Sequence, residues 1–102
     1  MKITKLVLAP KVPFDLDGHI MGRNGATEIV HLHLKPGQIV EKHVNEFDVF
    51  FYVLEGKALL LNEKGSEMVC KDQCVHIEGG TQRGFNNTSV AGFKVLAIKM
   101  LG

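Results

Sequence analysis

The feature that most constrains the fold is a period of two in hydropathy, repeated along most of the chain. TEIVHLHL, residues 27–34, sets Val30, Leu32 and Leu34 on one face and Ile29, His31 and His33 on the other. KPGQ, residues 35–38, is a turn signal, because proline presets φ and glycine permits positive φ. FDVFFYVLEG, residues 47–56, is rich in β-branched and aromatic residues and closes on a glycine. KALLLNEKGSEMVC reads as strand, polar turn around Asn62 to Ser66, and strand. QCVHIEGG and VAGFKVLAIKML supply two more strand patterns. PFDLDGHIMGRNGA, residues 13–26, reads as a loop, with Asp17-Gly18 and Asn24-Gly25 as turn pairs. No long helical pattern appears. Short strands with closely spaced turn signals predict an all-β sandwich or barrel, closed or dimerised to protect its edges.

The chain has 102 residues, enough for one core and too few for a second catalytic domain. A single domain over residues 1–102 is therefore expected. Apolar and charged fractions of 45% and 23% are ordinary for a globular protein. The net charge is +1, and no basic stripe gathers on any segment, which argues against nucleic acid as a partner. No apolar run approaches the roughly 20 residues that cross a bilayer, which argues against a membrane. Lys5, Pro10 and Lys11 interrupt the opening MKITKLVLAPKVPFD before a signal-peptide core can form, so the reading is a soluble, cytoplasmic protein. Cys70 and Cys74 fit no common zinc or redox spacing. On one strand they would lie ~13 Å apart, beyond disulfide reach, so reduced thiols are expected, at least one of them packed as a small apolar group.

Two stretches, residues 37–56 and 72–87, carry a resemblance. In GQIVEKHVNEFDVFFYVLEG, Gly37 is followed after five residues by His43. Asn45 comes two residues later, then Val49, then Gly56. The spacing resembles the first motif of the cupin superfamily, G-x5-H-x-H, a glutamate and a glycine, and FFYVLEGKALL is similar to that family's strand. Anchored on Gly80 and Asn87, residues 72–87 resemble its second motif, with Asp72 at a glycine, Glu78 at a proline and Arg83 at a histidine. The columns that shape the chain are mostly kept. Of the four ligand columns only His43 remains. The resemblance implies a small cupin-type β-barrel, that is, a double-stranded β-helix or jelly-roll.

Such a barrel ordinarily holds a first-row divalent metal through three imidazoles and a carboxylate. Here Val49 has no lone pair, Asn45 offers only a carbonyl, and Arg83 puts a permanent positive charge where a cation would sit. The reading is therefore that no metal is held at the ancestral position and that no cofactor is needed. A site rebuilt from His43 with His31 and His33, supported by Glu46 and Asp48, stays open and would admit a divalent transition metal. Against it stands an ordinary role for His31 and His33 on a solvated strand face. Nucleophile and phosphate-loop motifs are absent. Tyr52, the only tyrosine, has the parity opposite to Val49, which argues against a His–Tyr acid–base pair.

The resemblance also implies that His43, Asn45, Val49 and Arg83 point into the barrel. Phe51 and Val53 share the parity of Val49, and Phe85 that of Arg83. The expected pocket has an apolar floor and one fixed cation, suited to a small organic anion. The alternative is that Arg83 pairs internally with Glu46, Asp48 or Glu78. Three functional classes remain open: a metal-free small-ligand-binding protein, a dioxygenase- or isomerase-like enzyme with rebuilt ligands or His43 as acid–base, and a structural or dimerisation module. Phe50, Tyr52 and Leu54 form an apolar face opposite the pocket, and the resemblance implies a homodimer through such a face.

Overall fold

The computed structural model describes residues 1–102. After a short 3-10 turn at Leu6–Leu8 come nine strands: β1 (Asp17–Arg23), β2 (Thr27–Leu34), β3 (Ile39–Val44), β4 (Asp48–Glu55), β5 (Lys57–Asn62), β6 (Gly65–Cys70), β7 (Cys74–Ile77), β8 (Gln82–Asn86) and β9 (Phe93–Met100). They form a five-stranded sheet in the order β1-β2-β9-β4-β7 and a four-stranded sheet in the order β3-β8-β5-β6. All pairings are antiparallel. Chain neighbours β2 and β3, and β4 and β5, lie in different sheets, which makes the double-stranded β-helix. No helix is long and apolar enough to cross a membrane.

The alternation read from the sequence becomes the core. Val30 and Leu34 from β2, Val49, Phe51 and Val53 from β4, and Phe93, Val95 and Ala97 from β9 face inward from one sheet. Ala58, Leu60, Val69 and Phe85 meet them from the other. Phe85 ties the sheets, packing edge-on against Phe51 at 5.0 Å and tilted against Phe93 at 5.5 Å between ring centroids. Each fully buried side chain of this size contributes about 1.5–3 kcal/mol from removed apolar surface.

Two of the kept motif residues serve geometry. Asn87 is wholly buried. Its Nδ2 donates to the carbonyls of Leu34, Lys35 and Ala91, and its Oδ1 accepts from the backbone N–H and hydroxyl of Ser89. It fastens the loop after β8 to the end of β2. Gly56 has φ +79°, and a Cβ there would lie 2.4 Å from the carbonyl oxygen of Gly92. Only glycine fits both demands.

Asp72 stands at a glycine column of the family pattern and has φ +66°, the one non-glycine at positive φ. Aspartate tolerates this region better than most residues. Its N–H donates to Val53 O at 2.9 Å, and its carboxylate accepts from Tyr52 Oη at 3.2 Å.

Three sequence expectations need correction. DGHIMGR within residues 13–26 is a strand, β1, rather than a loop: Asp17 pairs with His33 and Gly18 with Leu32. Gly18 is there because a Cβ would come within 2.9 Å of both Leu32 and Val12. A bulge between Ile20 and Gly22 blurs the period that would have revealed the strand. The segment QRGFN, which carried no strand assignment, forms β8, with Gly84 admitting the bulged backbone of β3. Finally, the two cysteines are not on one strand. Cys70 ends β6, Cys74 begins β7, and both are free and exposed, because the inward positions beside them belong to Val69 and Val75.

Candidate functional site

A cavity of about 640 Å³ opens between the two sheets. Val49 and Phe51 on β4 and Arg83 and Phe85 on β8 line it, together with His43 from β3 and Asn45 just beyond that strand's end. Val30, Leu32 and Ala97 complete an apolar floor, and Phe14 and Phe47 flank the mouth. Val53 shares the parity of Val49 but lies deeper, sealed in the core with no exposure and no share in the cavity wall.

Arg83 is the unusual group. It is 4% exposed, on a strand buried at Arg83, Gly84 and Phe85 in succession. Burial lowers the guanidinium's pKa from its usual value, although a guanidinium stays protonated in proteins. No carboxylate lies within ion-pairing distance of it. Glu46 and Glu78 form no ion pair, and Asp48 is committed elsewhere. Its only side-chain partner is Asn45. With the Asn45 carboxamide oxygen turned to the guanidinium, that oxygen accepts from both terminal nitrogens, at 2.5 and 3.0 Å. The amide nitrogen then donates to Val44 O at 3.3 Å. The Arg83 Nε–H is left buried with no partner. The expected internal ion pair to Glu46, Asp48 or Glu78 is thus replaced by a neutral contact that leaves the positive charge unmatched.

Asp48 instead closes the loop below the mouth. It accepts from Gly79 N at 2.8 Å and from His76 Nε2 at 2.9 Å. These bonds, the one from Gly79 first, hold its carboxyl below the usual range. The loop approach is close: a Cβ on Gly79 would meet Glu46 O at 2.4 Å.

His43 and Arg83 are direct partners in the β3–β8 pairing, so their side chains stand next to one another on the inner face. His43 Nδ1 lies 3.0 Å from Glu41 O. A carbonyl only accepts, so Nδ1 carries a proton, and in the neutral ring the lone pair is then at Nε2.

The histidines of β2 are not in this site. Val30, Leu32 and Leu34 face inward, so His31 and His33 face outward on the five-stranded sheet, as the period of two requires. His33 lies 3.3 Å from Asp17, and His19 lies 3.6 Å from the same carboxylate. Burial, and then the charge of Lys94, pushes the His31 pKa down. The set His43, His31 and His33 is therefore not brought together, and no group of three or more His, Cys, Asp or Glu side chains is arranged to hold a metal ion. At the family's ligand columns stand one imidazole, an amide oxygen already accepting from a guanidinium, an aliphatic side chain and a cation. That donor set does not fit a divalent metal. Tyr52 also points outward, hydrogen-bonded to Asp72, which raises its pKa.

Sequence reasoning missed a second cation. Lys99 lines the cavity, its Nζ 3.3 Å from Glu28 Oε1 and 5.9 Å from the Phe47 ring centroid. The signal was available, since Lys99 has the parity of Phe93, Val95 and Ala97. Val12, Phe14 and Leu16 also line the wall and likewise fall at every second residue, a signal hidden by the loop reading of the segment.

The family model for the cupin domain matches residues 30–99. No curated protein matches the chain by sequence. Among solved structures, TT1209 from Thermus thermophilus is similar at 22% identity and TM-score 0.83, covering 99% of this chain and 98% of that one. The polyketide cyclase RemF from Streptomyces resistomycificus is similar at 17% identity and TM-score 0.88, covering 100% of this chain and 80% of that one. An uncharacterised double-stranded β-helix protein from Klebsiella pneumoniae subsp. pneumoniae is similar at 15% identity and TM-score 0.84, covering 100% of this chain and 91% of that one. At these identities the structural likeness carries the fold alone. Sequence pattern, strand order and family model agree, and the chain belongs to the cupin family.

Proposed function

We propose that the barrel binds a small organic anion without a metal, with Arg83 gripping its acidic group. The single observation behind this reading is the buried, uncompensated Arg83, whose Nε–H has no partner. An unmatched buried charge is expensive to maintain, and a buried donor left unpaired costs about 1–3 kcal/mol. A carboxylate or phosphate seated in the cavity against the guanidinium would match the charge. The walls of Phe51, Phe85, Val49 and Leu32 suit an apolar body attached to that anion.

Isothermal titration of benzoate, phenylacetate and phenyl phosphate against wild type and Arg83→Met tests the reading. At least one anion should bind the wild type in the micromolar range and lose tenfold or more in the variant. Equal binding to both proteins, or none to either, would refute it.

The His43 tautomer favours a second reading on the same site, that of an isomerase-like enzyme without metal. His43 lines the same cavity and pairs in register with Arg83, and on this reading its Nε2 takes a proton from a carbon next to the gripped carboxylate. Proton–deuterium exchange into phenylpyruvate, lost in His43→Gln, would support it; absence of exchange in the wild type would sink it. Self-association also belongs to the proposal. Phe50, Leu54, Leu96 and Ile98 are only half-buried on the outer face of the five-stranded sheet, where Tyr52 is exposed. A homodimer through that face should appear in light scattering at micromolar concentration and dissociate on Tyr52→Glu.

A further inference from the structure

The cavity has a second cationic wall, and its surroundings leave that cation free to act. Lys99 lies on β9 opposite Val49 in register, while Arg83 lies on β8 of the other sheet. The two cations therefore enter the same cavity from facing sheets, with Val49, Phe51, Phe85 and Ala97 among the apolar groups of that cavity.

Lys99 touches Glu28, but Glu28 has a second, shorter-range cationic partner. The Glu28 carboxylate is 9% exposed and already held by Arg23, whose Nε lies 2.6 Å and Nη2 2.5 Å from Oε2. Lys99 reaches only the other oxygen, at the longer distance of 3.3 Å. Burial by itself would raise the Glu28 pKa, yet the bonds from Arg23 and Lys99 outweigh it and hold the carboxyl below its usual range. One carboxylate thus faces two cations, and the group carries a net positive charge. An ammonium has three N–H donors, and only one of those on Lys99 is used. Turning toward a ligand would leave Glu28 still neutralised by Arg23.

We infer that the preferred ligand is a two-ended organic dianion, one acidic group on Arg83 and the other on Lys99, joined by an apolar spacer. This rests on the anion-binding reading of the same cavity. Asp15 and Glu41, both exposed and also part of the wall, disfavour a ligand carrying a third negative charge.

The test is calorimetric titration of straight-chain α,ω-dicarboxylates from malonate to suberate, each beside the monocarboxylate of equal carbon number. Wild type, Lys99→Met, Lys99→Arg and Arg83→Met are compared, each checked for folding by circular dichroism. In the wild type, affinity should peak at one chain length and exceed that of the matched monocarboxylate tenfold or more. The ratio should collapse to about one in Lys99→Met and persist in Lys99→Arg. Monocarboxylates and dicarboxylates bound equally by the wild type, or a ratio unchanged in Lys99→Met, would overturn this inference while the anion pocket stands. Carboxylate binding that is absent from the wild type, or indifferent to Arg83→Met, would overturn both.

Discussion

Asn45 holds Arg83 by the two ends of its fork and leaves its side free. The carboxamide oxygen sits against both terminal nitrogens, while Nε–H is buried without an acceptor. A carboxylate in place of Asn45 would have neutralised the charge. The amide orients the guanidinium and leaves its charge available, which is the arrangement expected where a residue is placed for binding at some expense in stability.

Asn45→Asp follows directly. The new carboxylate would accept charge-assisted bonds from Arg83 in place of a neutral contact, and such bonds are roughly twice as strong. Urea denaturation at neutral pH should show the variant more stable than wild type by about 1–2 kcal/mol. The same variant should bind small carboxylates tenfold or more weakly in calorimetry. A variant less stable than wild type with unchanged anion affinity would show that Arg83 is not held in reserve by Asn45.

How much of this could be read beforehand depended on parity and on sequence separation. Alternation alone separated the two faces of β2, β4 and β9, so the inward Val49 and Phe51 were legible, whereas His31 and His33 stayed open as partners of His43 until the structure put them on the outer face. The motif spacing then placed His43, Asn45 and Arg83 together across strands far apart in sequence. Alternation fails where the strand is bulged or interrupted by glycine, and so β1 and β8 were not recognised. The partner of Arg83 was also hidden. Three carboxylates were near in sequence, yet the loop geometry at Gly79 diverts Asp48 to the backbone and puts an amide nearest the guanidinium. Lys99 was overlooked because a lysine near a chain end is usually solvent-facing, although its parity pointed inward.

Gly56 and Gly37 make a controlled pair, since both have φ near +80°, at +79° and +81°. Alanine at Gly37 would meet nothing within 4 Å, so only the left-handed backbone penalises it, by about 1–2 kcal/mol. Alanine at Gly56 adds a methyl 2.4 Å from the Gly92 carbonyl, a backbone atom that moves only if β9 moves. Its cost should be on the order of 3–5 kcal/mol. Chemical denaturation of the two variants checks the difference, and equal losses would contradict it.

Asn87→Ala should be among the most damaging polar substitutions. It strips an acceptor from the Ser89 N–H and the side-chain donor from three carbonyls at a wholly buried position. Water can reach part of the loop, so the expected loss is about 3–5 kcal/mol rather than the full sum. A thermal melt within a degree or two of wild type would refute the fastening role.

Acid should destabilise the protein in two windows, the first set by His31 and the second by Glu28 and Asp48. His31 has a pKa lowered from 6.5, first by burial and then by Lys94. As pH falls below that value the unfolded chain takes up a proton that the folded chain does not, so stability declines until the folded pKa is passed. The carboxyls follow. Glu28 is depressed from 4.5, where the bonds from Arg23 and Lys99 overcome its burial, and Asp48 is depressed from 3.8 by Gly79 and His76. Their contribution is complete above those values and is lost as pH falls through the folded pKa values. Urea midpoints measured from neutral pH downward should therefore begin to fall just below pH 6.5 and fall again below pH 4.5. His31→Gln should flatten the first decline and leave the second, while Glu28→Gln should reduce the second and leave the first. A single decline confined to the lower window in the wild type would show that His31 titrates alike in the folded and unfolded chain.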